Sequence, residues 1–206
     1  MRRKSIRDTL SIPALSSVTY FALYNLYTTL LVGRRASPRA ISRHERPQKT
    51  PMELHEKVAD FTLQDNQENT VRLSDFNGKP IVLFFYPKAD TPGCTIEACG
   101  FRDTFKKLQN AGAVVLGISR DTPRAQAKFK AKYDLPYPLL ADVDEKICNQ
   151  FGVLKEKNMY GKKVIGIERT TFLIGPDQTL VRVFPKVKPE GHAEEVLAAI
   201  KEWKKG

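Results

Sequence analysis

The chain has 206 residues, of which 41% are hydrophobic and 28% charged, and this composition excludes collagen-like, low-complexity and fully disordered proteins. Three cysteines are too few, and odd in number, for a disulfide-stapled secreted scaffold. The net charge of +11 suits a polyanion-binding protein, but it is unevenly distributed. Residues 1–50 carry ten Lys/Arg and two Asp/Glu, whereas residues 51–206 carry twenty-four and twenty-one, so the body of the chain is nearly balanced.

Residues 1–50 form a basic leader around a charge-free stretch at 9–33, and segment 34–52 has the prolines and charges of a linker. The stretch is long enough for a membrane anchor, although several Ser, Thr and Asn residues dilute its apolarity. An Arg- and Ser-rich, acid-poor composition equally suits a mitochondrial-type organelle presequence. A secretory signal is less suitable, because the apolar core is long and ends in two arginines. A leader without any targeting role is the fourth alternative.

We therefore expect an intracellular protein, either delivered to an organelle or tethered to a membrane through residues 9–33, with a soluble domain over residues 53–206. Nucleic acid is not an expected partner. The basic residues of the leader are not interleaved with aromatic ones, and the body contains no recognisable nucleic-acid-binding module.

From residue 53 onward, predicted strands and helices alternate. Runs of alternating polarity at Val58–Leu63 and Val71–Leu73 flank a polar turn and predict a hairpin. Ile81–Phe85 is a continuous apolar run between two prolines, typical of a strand buried on both faces of a sheet. Apolar residues at spacings of three and four predict a helix over Thr95–Asn110. Val114–Ile118 is predicted to be a second buried strand.

The second half of the domain continues this alternation and then closes with a hairpin and a helix. The predicted elements are a helix opening at Pro123 and reaching Tyr133, a short strand at Leu139–Leu140, a short helix at Glu145–Phe151, a hairpin of Thr171–Ile174 with Leu180–Phe184, and an amphipathic helix at Gly191–Lys204. Parallel strands joined by helices and closed by an antiparallel hairpin predict an α/β three-layer sandwich with a central mixed sheet.

The loop after the first buried strand carries the most informative residues. It ends at Cys94 in the first turn of the next helix, where unpaired N–H groups and the positive end of the helix dipole favour a thiolate. Pro92 and Gly93 allow a tight turn and a close approach to a substrate oxygen. Thr91 supplies a hydroxyl beside the sulfur. Since the thiolate is the nucleophilic form of cysteine, we predict that Cys94 is reactive rather than an inert core residue.

Cys99 lies five residues further along the same predicted helix. This spacing excludes the C-x-x-C pattern of thioredoxin-type oxidoreductases. Five helical steps separate the two Cα atoms by about 8 to 9 Å, which exceeds the limit of about 7 Å for a disulfide. Any bridge between Cys94 and Cys99 therefore requires the start of the helix to unwind. The alternative is that Cys99 is a small core residue.

The spacing P-x-x-x-T-x-x-C at Pro87, Thr91 and Cys94 resembles the active-site signature of peroxiredoxins. The run C-T-x-E-A-C-x-F-R-D that begins at Cys94 resembles the bacterioferritin-comigratory, or Q-type, subfamily. The likeness covers about residues 53–203, includes the E-R-T-T-F-L-I run around Arg169, and leaves the leader out. It implies a thioredoxin-like fold and the reduction of hydrogen peroxide and organic hydroperoxides.

The resemblance also implies a role for each matching residue. Cys94 would be the peroxidatic cysteine and Cys99 the resolving one. Thr91 would hold the peroxide, Pro87 would shield the sulfur, and Arg169 would reach the site from a strand. An arginine just before an apolar run is costly to bury without a role, and its fixed donors suit a thiolate and a peroxide oxygen. An ordinary surface charge at the end of a strand is the alternative for Arg169.

The implied cycle converts Cys94 to a sulfenic acid, which condenses with Cys99 to a disulfide that thioredoxin or a similar dithiol protein reduces. This cycle requires no metal, flavin or nicotinamide in the active site. We expect a monomer or weak dimer. A different hypothesis is a thiol–disulfide exchange or holdase protein on the same fold, which would use the cysteines without turning over peroxide.

Three further side chains are predicted to lie outside the chemistry. Cys148, beside apolar residues on a short helix, is expected to pack half-buried, with a second resolving role as the alternative. Glu97 and Arg102 are interpreted as exposed helix charges that orient the helix or pair with each other. His192, near the start of the last helix, is expected to be a polar surface residue rather than a catalytic base.

Overall fold

The computed structural model describes residues 53–159 and 162–205. The leader, and with it every prediction about an anchor, a presequence or a linker, lies outside the described residues. Within the described ranges, no helix combines the length and apolarity that crossing a membrane would require.

These ranges contain nine strands and four α-helices. The strands are β1 (Thr62–Asp65), β2 (Thr70–Arg72), β3 (Ile81–Phe85), β4 (Val114–Ser119), β5 (Leu139–Ala141), β6 (Leu154–Met159), β7 (Lys162–Ile167), β8 (Thr170–Ile174) and β9 (Leu180–Phe184). The helices are α1 (Pro92–Asn110), α2 (Pro123–Lys132), α3 (Lys146–Gln150) and α4 (His192–Trp203), and a 3-10 turn (Leu73–Phe76) follows β2.

Seven of the strands form one mixed sheet in the order β2-β1-β5-β4-β3-β8-β9. The central strands β3, β4 and β5 are parallel, whereas the β1–β2 and β8–β9 hairpins add to them antiparallel at the two sides. This arrangement confirms the predicted α/β class and the central mixed sheet. β6 and β7 pair only with each other among the described strands, as a separate hairpin.

The centre of the sheet is apolar on both faces, because all five residues of β3 are completely buried. Gly117 on β4 makes room for the ring of Phe84, since a Cβ atom at that glycine would lie 2.7 Å from the ring. The Phe84 ring stacks on Phe101 of α1 with the two centroids 4.7 Å apart. This contact holds α1 against the central strand and therefore fixes the helix that carries Cys94.

Separate hydrophobic clusters cover the two faces of the sheet, which makes the domain three layers thick. On one face α1, α2 and α4 pack on the sheet, through residues that include Phe101, Phe129 and Ile200. On the other face the 3-10 turn, α3 and the ends of the β6–β7 hairpin do so, through residues that include Leu73, Cys148 and Ile167. The predicted three-layer sandwich is thus confirmed.

The structure differs from the predictions at several boundaries and in one hairpin. The first strand begins at Thr62 rather than at Val58. α1 begins at Pro92, three residues earlier than predicted, because proline is well suited to the first helical position and Thr91 takes the extended conformation of an N-cap residue. The β6–β7 hairpin was not predicted, because lysines and other charged residues interrupt the apolar alternation of its strands.

Candidate active site

Cys94 is the third residue of α1 and is only 2% exposed. The helix is preceded by Thr91, whose carbonyl accepts the first helical hydrogen bond, from the N–H of Thr95 at 2.8 Å. The Thr91 hydroxyl donates to the carbonyl of Lys88 at 2.9 Å, so its lone pairs remain as acceptors. The predicted position of Cys94 in the first turn of a helix is therefore confirmed.

Arg169 lies beside Cys94 because of the sheet register. The last residue of β3, Phe85, pairs with the first residue of β8, Thr170, so the loop after β3 and the residue before β8 meet at one edge. The Nη2 atom of Arg169 is 3.3 Å from the Sγ atom of Cys94. The Arg169 carbonyl accepts a hydrogen bond from the N–H of Val187 at 2.9 Å, which fixes its backbone as well.

Gly93 leaves room for Arg169 at this site. A Cβ atom there would lie 3.3 Å from Nη2 of Arg169 and 3.6 Å from a ring carbon of Pro189. The glycine takes no left-handed φ, so the tight turn expected from the sequence is not the reason for it. The glycine instead gives room to the guanidinium, because a Cβ atom there would require Nη2 of Arg169 to shift by a few tenths of an ångström.

Glu97 occupies the same buried face of α1, and its interpretation as an exposed helix charge was wrong. The residue is 1% exposed, and its Oε2 accepts a hydrogen bond from Nη1 of Arg169 at 2.5 Å. Arg102 instead pairs with its neighbour Asp103 and donates to the carbonyl of Tyr133. The sequence signal that could have placed Glu97 beside Cys94 is its spacing, since a residue three positions after Cys94 lies on the same face of the helix.

Burial raises the pKa of Glu97 to about 7, although the charge and hydrogen bond of Arg169 act in the opposite direction. The second carboxylate oxygen, Oε1, is buried without a hydrogen-bond partner among the described residues. For Arg169, burial lowers the pKa, but the neighbouring Glu97 and Cys94 outweigh that effect and raise it. The guanidinium therefore stays charged while it contacts both the sulfur and the carboxyl group.

Cys99 is half-buried and unpaired, and it lies with Cys94 in one continuous helix. The helical geometry that keeps the two sulfurs from bonding is thus present in this structure. Pro87 is half-buried in the loop between β3 and α1, directly after the completely buried Tyr86. Cys94, Thr91, Pro87 and Arg169 therefore all lie at the same edge of the sheet, whereas Cys99 is further along the helix.

Two other predictions need correction. Cys148 is completely buried rather than half-buried, and it belongs to the hydrophobic cluster on the opposite face of the sheet from Cys94. His192 is 2% exposed rather than a surface residue. Its Nε2 lies 2.8 Å from Oγ1 of Thr171, and its ring packs edge-on against Phe101 and Phe184. Burial lowers the pKa of His192, against the opposing effect of Glu195.

The chemistry available here is that of an activated thiol. The site combines a sulfur at a helix N-terminus, a guanidinium in contact with it and a hydroxyl with free lone pairs nearby. Such surroundings can stabilise negative charge on a reacting atom. The fold and the site together define a thiol-based redox protein.

Comparison with known proteins agrees with this class. The AhpC/TSA family matches residues 54–183. A bcp-type relative from Coxiella burnetii is 50% identical over 149 residues, which cover 72% of this chain and 99% of the relative. Peroxiredoxin Bcp of Bacillus subtilis is 44% identical over 151 residues, which cover 73% of this chain and 96% of that protein.

Solved structures give the same result. The bacterioferritin comigratory protein of Xanthomonas campestris is 43% identical to this chain, with a TM-score of 0.67. Its structures are of trapped intermediate and ligand complexes and concern its alkyl peroxide reduction activity. The similarity covers 69% of this chain and 91% of that one. The chain thus belongs to the AhpC/TSA family, as a peroxiredoxin of the bacterioferritin-comigratory, or Q, type. It is a thiol-dependent peroxidase, and these relatives do not favour the alternative of a thiol-exchange or holdase protein.

Proposed function

We propose that Cys94 is the thiol that attacks the peroxide and that Arg169 and Thr91 assist it. The observation that carries this proposal is the 3.3 Å contact between Nη2 of Arg169 and Sγ of Cys94 at the start of α1. A guanidinium in this position favours the thiolate before the reaction and stabilises the departing oxygen during it. The lone pairs of the Thr91 hydroxyl are suited to accept a hydrogen bond from the peroxide O–H. Pro87 shields the sulfur from bulk water.

In the first step the Cys94 thiolate attacks the terminal oxygen of a hydroperoxide. An S–O bond forms as the O–O bond breaks, and the departing oxygen takes a proton to leave as water or an alcohol. The sulfur is oxidised by two electrons and becomes a sulfenic acid. Hydrogen peroxide and organic hydroperoxides are both proposed substrates, and the Xanthomonas campestris relative is described as active on alkyl peroxides.

In the second step the thiol of Cys99 condenses with the sulfenic acid and releases water, forming a Cys94–Cys99 disulfide. The intact helix keeps these residues too far apart, so the first turns of α1 must unwind. A dithiol protein of the thioredoxin type then reduces the disulfide by thiol exchange and becomes a disulfide itself. Both cysteines return to thiols, and α1 can form again.

A peroxide-consumption assay coupled to a thioredoxin system tests this assignment. We expect Cys94→Ser to abolish turnover, by at least about a thousandfold, because no other described thiol contacts a cation like Arg169. Cys99→Ser should still consume one equivalent of peroxide in a single turnover but should not be recycled by thioredoxin. Cys148→Ala is the matched control and should keep near-normal turnover. Full activity of Cys94→Ser would refute the proposal.

The unwinding step has its own measurement. Oxidation to the disulfide should increase hydrogen exchange and proteolysis around residues 95–105, because the hydrogen bonds of the first helical turns are lost. An unchanged helix in the disulfide form would contradict the unwinding argument. The Cys99→Ser variant, oxidised under the same conditions, should show no such increase.

For the remaining residues, we propose that residues 1–50 deliver the enzyme to an organelle or tether it to a membrane through residues 9–33, and that the domain is a monomer or weak dimer. The composition of the leader supports the first statement. Mass spectrometry of the native N-terminus combined with subcellular fractionation distinguishes a removed presequence from a retained anchor. Sedimentation velocity of the domain measures the oligomeric state.

A further inference from the structure

The loop before α1 is held in place from outside the active site. Asp90, which directly precedes Thr91, has a φ of 58°, in the left-handed region that few residues other than glycine adopt. Its two carboxylate oxygens accept hydrogen bonds from Nζ of Lys132 at 2.9 and 2.8 Å, and one of them accepts a third from the hydroxyl of Tyr133 at 2.7 Å. Lys132 and Tyr133 lie at the end of α2, so this side chain ties the active-site loop to another helix.

Tyr133 makes a second contact on the far side of the two cysteines. Its carbonyl accepts a hydrogen bond from Nη1 of Arg102 on α1 at 3.0 Å. Its ring packs edge-on against Phe129 of α2, with the centroids 5.4 Å apart, which limits the movement of the hydroxyl. Tyr133 therefore contacts the chain before the first turn of α1 through its hydroxyl and the third turn of α1 through its carbonyl.

These two contacts bracket residues 91–101, the segment that contains Cys94 and Cys99. The proposed cycle requires this segment to unwind, and fixing both of its ends on Tyr133 reduces the number of unwound conformations that it can adopt. We propose that Asp90, Lys132 and Tyr133 form an anchor that keeps the start of α1 wound in the reduced enzyme and so sets how fast Cys99 reaches Cys94. The inference rests on the resolving role of Cys99 given above, and it makes the three anchor residues positioning residues that do not touch the peroxide.

The anchor also has a consequence for over-oxidation. The Cys94 sulfenic acid either condenses with Cys99, which needs unwinding, or reduces a second hydroperoxide while the helix is wound. In the second reaction the sulfur gains another oxygen and loses two electrons to become a sulfinic acid, and the peroxide leaves as water or an alcohol. A tighter anchor prolongs the wound state and therefore favours the sulfinic acid at high peroxide.

One exposed ion pair by itself contributes little to stability. The effect of the anchor on the start of α1 therefore depends on several contacts acting together. Asp90 is half-exposed, but its carboxylate accepts three hydrogen bonds, which come from Lys132 and Tyr133. They maintain a backbone conformation that costs free energy wherever it is unsupported. Interactions from Lys132 and Tyr133 also lower the pKa of Asp90, so the carboxylate is charged at neutral pH.

Hydrogen exchange of the reduced enzyme tests the anchor directly. Tyr133→Phe removes the hydroxyl but leaves the carbonyl that Arg102 uses, and Lys132→Gln removes the cation. We expect exchange of the backbone amides in residues 95–98 to rise about tenfold in Tyr133→Phe and about twofold to fivefold in Lys132→Gln. The matched control is Lys163→Gln, which breaks a somewhat more exposed pair with Glu156, 2.9 Å long, on the β6–β7 hairpin. It should leave exchange in α1 unchanged.

A second measurement follows the reaction. After a pulse of peroxide, mass spectrometry of Tyr133→Phe and Lys132→Gln should show faster disulfide formation and a smaller sulfinic fraction than in wild type and Lys163→Gln. Unchanged exchange in both anchor variants overturns the proposal. Raised exchange with an unchanged rate of disulfide formation overturns the claim that the anchor controls that step.

These results are separable from a failure of the proposed function. The exchange measurement uses the reduced protein and does not depend on any disulfide. If wild type forms no Cys94–Cys99 disulfide, the resolving role of Cys99 fails, whereas the exchange data still decide whether Tyr133 and Lys132 hold the helix. If Tyr133→Phe does not fold, the exposed Lys132→Gln carries the same test.

Discussion

Cys94 and Cys148 have nearly the same local position and very different surroundings. Each is the third residue of an α-helix, and each is almost completely shielded from water. Cys94 begins a helix of 19 residues and touches the guanidinium of Arg169. Cys148 lies in a helix of five residues, and its N–H donates to the carboxylate of Asp142 at 2.7 Å.

A position at the start of a helix does not by itself lower the pKa of a thiol, because the surroundings of Cys148 raise it. Burial is the largest cause that raises the pKa of Cys148, and the neighbouring Asp142 charge raises it further. At Cys94 the charge next to the sulfur is positive, and the helix behind it is long enough to present a full dipole. The sign of the neighbouring charge and the length of the helix therefore separate the two cysteines.

The largest expected effect is a difference in alkylation rate. In the folded, reduced protein we expect iodoacetamide to modify Cys94 at least about a thousand times faster than Cys148, because only the thiolate reacts and Cys148 is held as the thiol. Peptide mapping by mass spectrometry measures both rates in one sample. Unfolding in denaturant should bring the rates together, and a persistent difference there would show that tertiary surroundings are not its cause.

The next largest effect concerns the cation at Cys94. Arg169→Met should lower the second-order rate constant for peroxide reduction by about a hundredfold to a thousandfold, the usual effect of removing a group that stabilises transition-state charge. Arg169→Lys should recover only part of this loss, because an ammonium has a single nitrogen and cannot place two nitrogens in a fixed plane, one against Glu97 and one against the sulfur. Stopped-flow kinetics measures the constant.

An exposed arginine serves as the control for this series. Arg182 pairs with Glu202 at 3.3 Å on the surface, and Arg182→Met should change the rate constant by less than about twofold. An equal loss in Arg182→Met and Arg169→Met would mean that general positive charge, rather than the contact at Cys94, governs the rate.

Glu97 offers a pH test of the same region. Its pKa of about 7 in the folded protein lies above the ordinary value of 4.5, so the folded state binds more protons between these pH values. The free energy of unfolding should therefore fall as pH rises from 4.5 to 7, by as much as about 3 kcal/mol. Glu97→Gln lacks this titration and should show a flatter curve in urea denaturation. Parallel curves for the two proteins would contradict the raised pKa.

The smallest expected effect lies at Cys148. Asp142→Asn removes the negative charge but keeps an oxygen that can accept the hydrogen bond from the N–H of Cys148. Since burial is the larger cause of the raised pKa, the alkylation rate of Cys148 should increase by no more than about tenfold. An increase to the rate of Cys94 would show that charge, and not burial, controls this thiol.

The sequence predicts a large part of the fold because the relevant signals are local. The unbroken apolar run of β3 and the three-and-four spacing in α1 depend only on neighbouring residues, and both elements are present. The same holds for α2, where the side chain of Thr122 accepts a hydrogen bond from the N–H of Ala125 and Pro123 takes the first position. The β6–β7 hairpin was missed because its charged residues obscure the alternation.

The chemical environment of the site was less predictable. Glu97 was interpreted as an exposed charge because its partner, Arg169, is 72 residues further along the chain. His192 was predicted to lie on the surface for the same reason, since Thr171 and the two aromatic rings that bury it belong to other elements. Asp90 and Lys132 are 42 residues apart and come together only when α2 packs beside the loop.

By itself, then, the sequence determined the α/β class, the central strand, and the helix that places Cys94 in its first turn and Cys99 five residues later. Those features follow from backbone propensity and apolar spacing, which act over a few residues. Only the tertiary structure decided which carboxyl is buried against Arg169, which charge lies beside Cys148, and what holds the loop before the helix. The first and third of these are contacts between distant segments, and the pairing of β3 with β8 and the packing of α2 bring their partners within reach.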